Sequence, residues 1–432
     1  MPFERLTEPP RRIAVIGGGI SGMAAAELLS HSHAVVLFEK APRLGGHART
    51  VLAGRRGDQP VDTGFIVFNR PTYPGLSALF DRLGVPVAES DMSFGVSADG
   101  GRIEYGLKDL RSLFCQRRNL LRPGFARMVA DILRFNANAG QAAAAEPDLT
   151  IRELLGRLGT GRWFRDYYMT PLSGAIWSTP VSGILDFPAL ATVRFLKNHG
   201  LMSYAGQHRW LTVRGGSVEY VGRLEARMRR AGVDIRSSAP ASSVRRIGAG
   251  VEVTVRGGVP ELFDEVVIAA HSDEALAILA DPSPGESAAL SAIRYQPNEA
   301  VLHADASVMP ARRAAWASWV YSGGAAASGA PISLSYWMNS LQPIPMNDPM
   351  FVTLNPVRPI REDAVYDRVI FRHPLYTRAA VAAQERIRAM NGARATWFCG
   401  AWMGNGFHED GLQSAADVVR AMAARPVRSV AA

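Results

Sequence analysis

The chain has 432 residues, 47% of them hydrophobic and 20% charged, a balance that excludes a disordered chain and a length that suits two or three domains. Its two cysteines, Cys115 and Cys399, exclude a disulfide framework and cannot build a structural zinc site alone, so no metal site is expected. The net charge of +9 is almost entirely arginine, and with no nucleic-acid-binding module beside it, it points to an anionic lipid surface or an acidic substrate rather than to nucleic acid.

In chain order, the segment before Arg12 lacks the apolar core of a signal peptide. No later stretch is apolar over the length that spans a bilayer, so a cytoplasmic location is expected. Ile13-Ala14-Val15-Ile16 reads as a buried parallel strand. Gly17-Gly18-Gly19-Ile20-Ser21-Gly22 follows, then a helical run from Met23 to Leu29 and a second strand, Ala34 to Phe38, ending at Glu39. This βαβ unit carries a Gly-x-Gly-x-x-Gly turn. Gly17 permits the tight bend, Gly19 lets the backbone approach a pyrophosphate, and Gly22 lets helix and strand pack closely. Glu39 stands where an acid accepts hydrogen bonds from a ribose 2′-OH.

Further on, Arg43-Leu44-Gly45-Gly46-His47 and Asp62-Thr63-Gly64-Phe65 add glycines that a plain NAD dehydrogenase does not need. Trp210 to Gly216 leads into a helix from Val218 to Arg229, and Val244 to Val255 reads as alternating strands. Val266 to Ala270 reads as another buried strand. Trp397 to Ala401 is a strand ending in glycine, Gly404 to Gly411 a loop, and Leu412 to Met422 a helix.

These segments resemble the flavin-containing amine oxidoreductase superfamily, which includes amine oxidases, protoporphyrinogen oxidases and carotenoid desaturases. The resemblance implies an α/β fold: a two-dinucleotide-binding, Rossmann-like FAD domain (1–70, 202–292 and 378–432) interleaved with a mixed α+β substrate domain (71–201 and 293–377). It implies non-covalent FAD, held by Gly17, Gly19, Ile20, Ser21, Gly22, Glu39, Lys40, Arg43, Gly45, Gly46, His47, Gly64, Phe65, Val244, Gly400, Ala401, Gly411 and Leu412. His47 stands where most relatives carry arginine, and Ala401 where they often carry an acid.

Asp62 to Asn69, Arg372 to Tyr376 and Gly406 to Leu412 resemble one branch in particular, whose characterised members are similar to the desaturase of bacterial methylated furan fatty acid biosynthesis. That resemblance implies oxidation of a methylated, unsaturated acyl chain and a functional link to a cyclopropane-fatty-acid-synthase-like methyltransferase. Desaturation removes a hydride and a proton, so a base is needed. His408 and Glu409, in the loop before the last helix, are the candidates, while Asp410 reads as a helix cap. Amine oxidation and carotenoid-type desaturation fit the same FAD motifs. A non-catalytic flavin-binding partner of a lipid methyltransferase is a rival of another class. Homo-oligomerisation is left open.

Leu113 to Phe125, with Arg127 and Arg134 beyond, mixes apolar residues and arginines. It is read as a basic amphipathic segment on the inner face of the cell membrane, or equally as a solvated face over core leucines.

Overall fold

The computed structural model describes residues 10–178, 181–202, 208–248, 250–324 and 332–424. The fold is mixed α/β. A five-stranded, all-parallel sheet runs in the order Asp234–Arg236, Ala34–Phe38, Arg12–Ile16, Glu265–Ile268, Thr396–Phe398. The short apolar runs form inner strands because both faces of this sheet are covered. Ile13, Val15, Val35 and Leu37 pack on the side of the helix Ile20–Leu29. Their neighbours Ala14, Ile16, Val36 and Phe38 pack against Val244, Val251 and Val253 of an antiparallel sheet, Ala241–Ile247, Gly250–Val255 and Glu261–Phe263.

A seven-stranded mixed sheet takes Phe94–Ala98 and Ile103–Gly106 from one stretch of chain. Its other strands are Tyr295–His303, Trp319–Gly323, Ser333–Trp337, Phe351–Leu354 and Val365–Pro374. Only the pairing of Phe94–Ala98 with Trp319–Gly323 is parallel. Three short strands, Val67–Asn69, Trp210–Val213 and Val87–Ser90, form a small sheet of their own.

Two expectations are revised. Leu113 to Phe125 is not one amphipathic element: a helical turn, Leu110–Leu113, and a 3₁₀ turn, Arg117–Leu121, precede a helix that starts at Pro123. Phe125 belongs to the core, and Arg127 and Arg134 are tied to buried Asp131 at 2.9 and 3.2 Å. The last helix begins at His408 rather than Leu412, so His408, Glu409 and Asp410 lie in its first turn. No helix among the described residues is long and apolar enough to cross a membrane.

Candidate functional site

The carboxyl ends of the parallel strands are where open α/β sheets take ligands, and the glycine turn leaves the first strand there. Gly17 adopts φ +108°, and a Cβ on it would lie 2.7 Å from the Ala269 carbonyl oxygen. A Cβ on Gly22 would lie 1.8 Å from the Gly17 oxygen, so helix and strand could not close. Gly19 differs: a Cβ there would meet nothing within 4 Å. Gly19 also carries no side chain to cap the helix Ile20–Leu29, whose first amides face outward from a buried, alanine-rich helix.

Glu39 is buried at the end of the second strand and accepts from the Gly18 amide (2.5 Å) and the Ala41 amide (2.7 Å). Two carboxylate oxygens offer about four acceptor sites, so room remains for further donors. The Gly45 amide donates to the Gly18 carbonyl at 2.8 Å, and a Cβ on Gly46 would sit 3.1 Å from the Gly19 Cα. The second glycine pair thus lies against the first turn. Arg43 shapes this loop, its guanidinium donating to the carbonyls of Leu44, Gly46 and Ala48. The Lys40 ammonium is paired with Glu274 at 2.6 Å on the surface.

His47 opens onto a cluster of rings. It stacks on Phe371 at 4.9 Å and lies 5.7 Å from both His271 and His373. Its carbonyl accepts from the Phe65 amide, and a Cβ on Gly64 would lie 2.0 Å from that oxygen. Phe65 stacks on His408 at 3.8 Å, and His408 Nε2 is 3.0 Å from the hydroxyl of buried Tyr220. Burial lowers all four imidazoles: His47 well below its usual range, His271 downward, His373 to about 4 and His408 to about 3. At pH 7 the cluster is neutral. The carboxylates around it are engaged, Asp273 with Arg372 and Glu274 with Lys40.

The last helix closes the site. A Cβ on Gly411 would lie 2.8 Å from Ser21 Oγ, 3.0 Å from Ile20 Cγ2 and 3.6 Å from the Ala401 Cβ. The start of this helix therefore abuts the start of the first. The Gly400 amide donates to Ser414 Oγ, and the Ala401 carbonyl accepts from the Gly404 and Gly406 amides. Leu412 packs beside Gly75.

Glu409 is committed elsewhere. Its two oxygens accept from the Gly75 and Leu76 amides, each at 2.8 Å, and so cap the helix Pro74–Leu83, which has no side-chain cap of its own. That geometry is a cap's rather than a free base's. Asp410 accepts from the Phe407 amide at the helix start, and burial pushes its carboxyl up to about 6.

Two observations test whether these residues fit a flavin dinucleotide. An uncapped helix start faces open space at Gly19. His47 Nε2, His271 Nδ1 and Tyr376 Oη are buried polar atoms without a hydrogen-bond partner among the described residues. The donor set fits. The Val244 carbonyl, by contrast, is taken by the Ala280 amide, in a strand on the far face of the nucleotide sheet. Sequence reasoning gave no role to Tyr220 or His271. His271 lies three residues beyond the strand Glu265–Ile268, and that position past a parallel strand's carboxyl end was a usable signal.

The family model for flavin-containing amine oxidoreductases matches residues 20–306. The FAD-dependent oxidoreductase dbaF of Emericella nidulans is 40% identical over 87 residues, covering 20% of this chain and 18% of that protein. The chain thus spans under a fifth of the length of the curated relatives it matches. Among solved structures, a protein provisionally assigned as protoporphyrinogen oxidase from Exiguobacterium sp. 255-15 aligns with a TM-score of 0.71 at 18% identity, covering 95% of this chain and 98% of that one. The CLA-producing fatty acid isomerase from P. acnes aligns with a TM-score of 0.68 at 15% identity, with the same coverage. At these identities the structures speak for the fold.

Proposed function

Because this chain belongs to the flavin-containing amine oxidoreductase family, we propose that it is an FAD-dependent oxidoreductase that desaturates a methylated, unsaturated fatty acyl chain. FAD would be bound without a covalent link. Its pyrophosphate would lie over Gly17 to Gly22, its ribose at Glu39, and its ring between the His47 loop and the start of the last helix. When bound, the flavin supplies a hydride acceptor.

One observation favours an uncharged substrate. The rings beside His47 are Phe371 and neutral imidazoles, the nearby Arg43 is spent on backbone carbonyls, and the carboxylates near them are already committed to arginine, lysine or backbone amides. Loss of hydride from an allylic carbon leaves cationic character, which makes the neighbouring C–H acidic enough for a weak base. We assign the proton to an imidazole with an unpartnered ring nitrogen, at His47 or His271. Glu409 acts as a positioning residue through its cap. His408, paired with Tyr220, forms a neutral wall.

Amine oxidation is the second reading, and the family model's description favours it. The test is anaerobic mixing of the FAD-loaded protein with a lipid-presented methylated monoene and, separately, with primary amines, following flavin bleaching and analysing lipids by mass spectrometry. Bleaching by the monoene with conjugated diene formed supports the proposal. Bleaching by amines alone overturns it. No bleaching by either substrate, with FAD firmly bound, supports the non-catalytic partner of a methyltransferase.

A further inference from the structure

The loop that wraps the edge strand Ile103–Gly106 holds its polar residues in and its apolar residues out. Gln116 and Asn119 are fully buried. Gln116 donates to the Gly101 carbonyl (3.1 Å) and accepts from the Glu104 amide (3.3 Å). Asn119 donates to the Glu104 carbonyl (3.1 Å) and accepts from Arg122 (2.9 Å). Asp109 caps the turn Leu110–Leu113 through the Ser112 amide. These pins fix the turn Arg117–Leu121 on the sheet edge, so the outward side chains are presented by a rigid support.

What faces out is unusual. Leu110, Leu120 and Leu121 are 73%, 61% and 86% exposed. Single exposed leucines are ordinary, but Leu120 and Leu121 are adjacent on one turn, and Leu110 stands on the turn before it, which packs on the same edge strand. Arg111, Arg117 and Arg118 are exposed beside them and make no hydrogen bond or ion pair among the described residues. The acids nearby are engaged: Asp109 in its cap, and Asp91 with Lys108 at 3.6 Å.

We propose that this loop docks the protein on an anionic phospholipid bilayer, with Leu110, Leu120 and Leu121 inserted below the headgroups and Arg111, Arg117 and Arg118 on lipid phosphates. Free guanidiniums call for a negative surface. Leucines protruding this far call for one that deforms around a convex shape, which a bilayer does and a folded protein face does not. This inference stands apart from the flavin reading, since docking needs no turnover.

The test is sedimentation of the flavin-loaded protein with phosphatidylcholine vesicles, with and without phosphatidylglycerol. Two variants accompany the wild type: Arg111→Glu/Arg117→Glu/Arg118→Glu, and Leu110→Ser/Leu120→Ser/Leu121→Ser. All six positions are exposed, so melting temperature and flavin content should stay at wild-type values. Wild type should bind phosphatidylglycerol vesicles and release in high salt. Each arginine near the surface is worth about fivefold in partitioning, so the charge-reversed variant should bind roughly a hundredfold or more weakly. The serine variant should lose binding at every salt concentration. Equal binding to both vesicle types overturns the proposal, as does wild-type binding by either variant. So does a wild-type dimer that the serine variant dissociates without any vesicle binding, because the patch would then join two copies of the chain.

Discussion

Two glycines three residues apart in one turn should fail in opposite ways when replaced by alanine. At Gly22 the added Cβ would stand 1.8 Å from the Gly17 oxygen, so the helix must move by more than an ångström from its strand. Overpacking of that kind costs about 1–3 kcal/mol or more, and the apoprotein should melt lower. At Gly19 the backbone sits at φ −74°, which alanine adopts freely, and the Cβ enters open space. The folding cost is only that of alanine at a helix cap, about 1 kcal/mol or less. The same methyl, however, fills the space through which a pyrophosphate approaches the helix start, so FAD retention should fall at least tenfold, about 1.4 kcal/mol. Differential scanning fluorimetry of the apoproteins and equilibrium dialysis against FAD separate the two costs. If Gly19→Ala binds FAD as wild type does, the turn does not cradle the cofactor, and the reading of the site falls with it.

Glu409→Ala should destabilise the fold by roughly 2 kcal/mol, the worth of a charged cap on two amides, while turnover per bound flavin stays near wild type. A stable Glu409→Ala protein whose flavin is no longer reduced would restore it as a base. Glu39→Ala should weaken FAD retention and loosen the Gly18 amide, measured as flavin content after gel filtration. His303 is fully buried between Thr353 and the Asp305 amide and is pushed down to about 4. Its stabilisation is present above its unfolded value near 6.5 and is lost as pH falls through about 4, roughly 3 kcal/mol in all. Denaturant melts of His303→Gln between pH 7 and pH 4 should therefore show a shallower loss than the wild type.

The first βαβ unit was legible because each signal there is local. Strand Ala34–Phe38 begins and ends where its apolar run does, and Gly17 and Gly22 sit where only glycine fits. The last helix was legible as an element but not at its start. Gly411 looked like a boundary, whereas it lies inside the helix because a side chain there would strike Ser21. Glu409 and Asp410 then fall in the first turn, where acids suit the helix dipole. What could not be read were partnerships across the chain: Lys40 with Glu274, Glu409 with Gly75, and the rings of His47, His271, Phe371 and His373. No spacing rule connects such positions. The basic segment was legible in its mix of arginines and leucines but not in its breaks, because Pro123 starts a new helix and Phe125 turns inward.

The order of strands in the parallel sheet bears on how the protein comes off the ribosome. Its central strand, Arg12–Ile16, emerges well before the edge strand Thr396–Phe398 and the helix His408–Ala423, which lie far along the chain from it. Until they arrive, the flank of Glu265–Ile268 that pairs with Thr396–Phe398 stays bare, and the helix Ile20–Leu29 lacks its neighbour. Pairing across such sequence distances is slow and exposes unpaired edges meanwhile. A nascent chain stalled before Thr396 should therefore display its glycine turn without capturing flavin. Cofactor loading would wait until the helix His408–Ala423 has emerged and docked, and free FAD in the cell would act on folding only after that step.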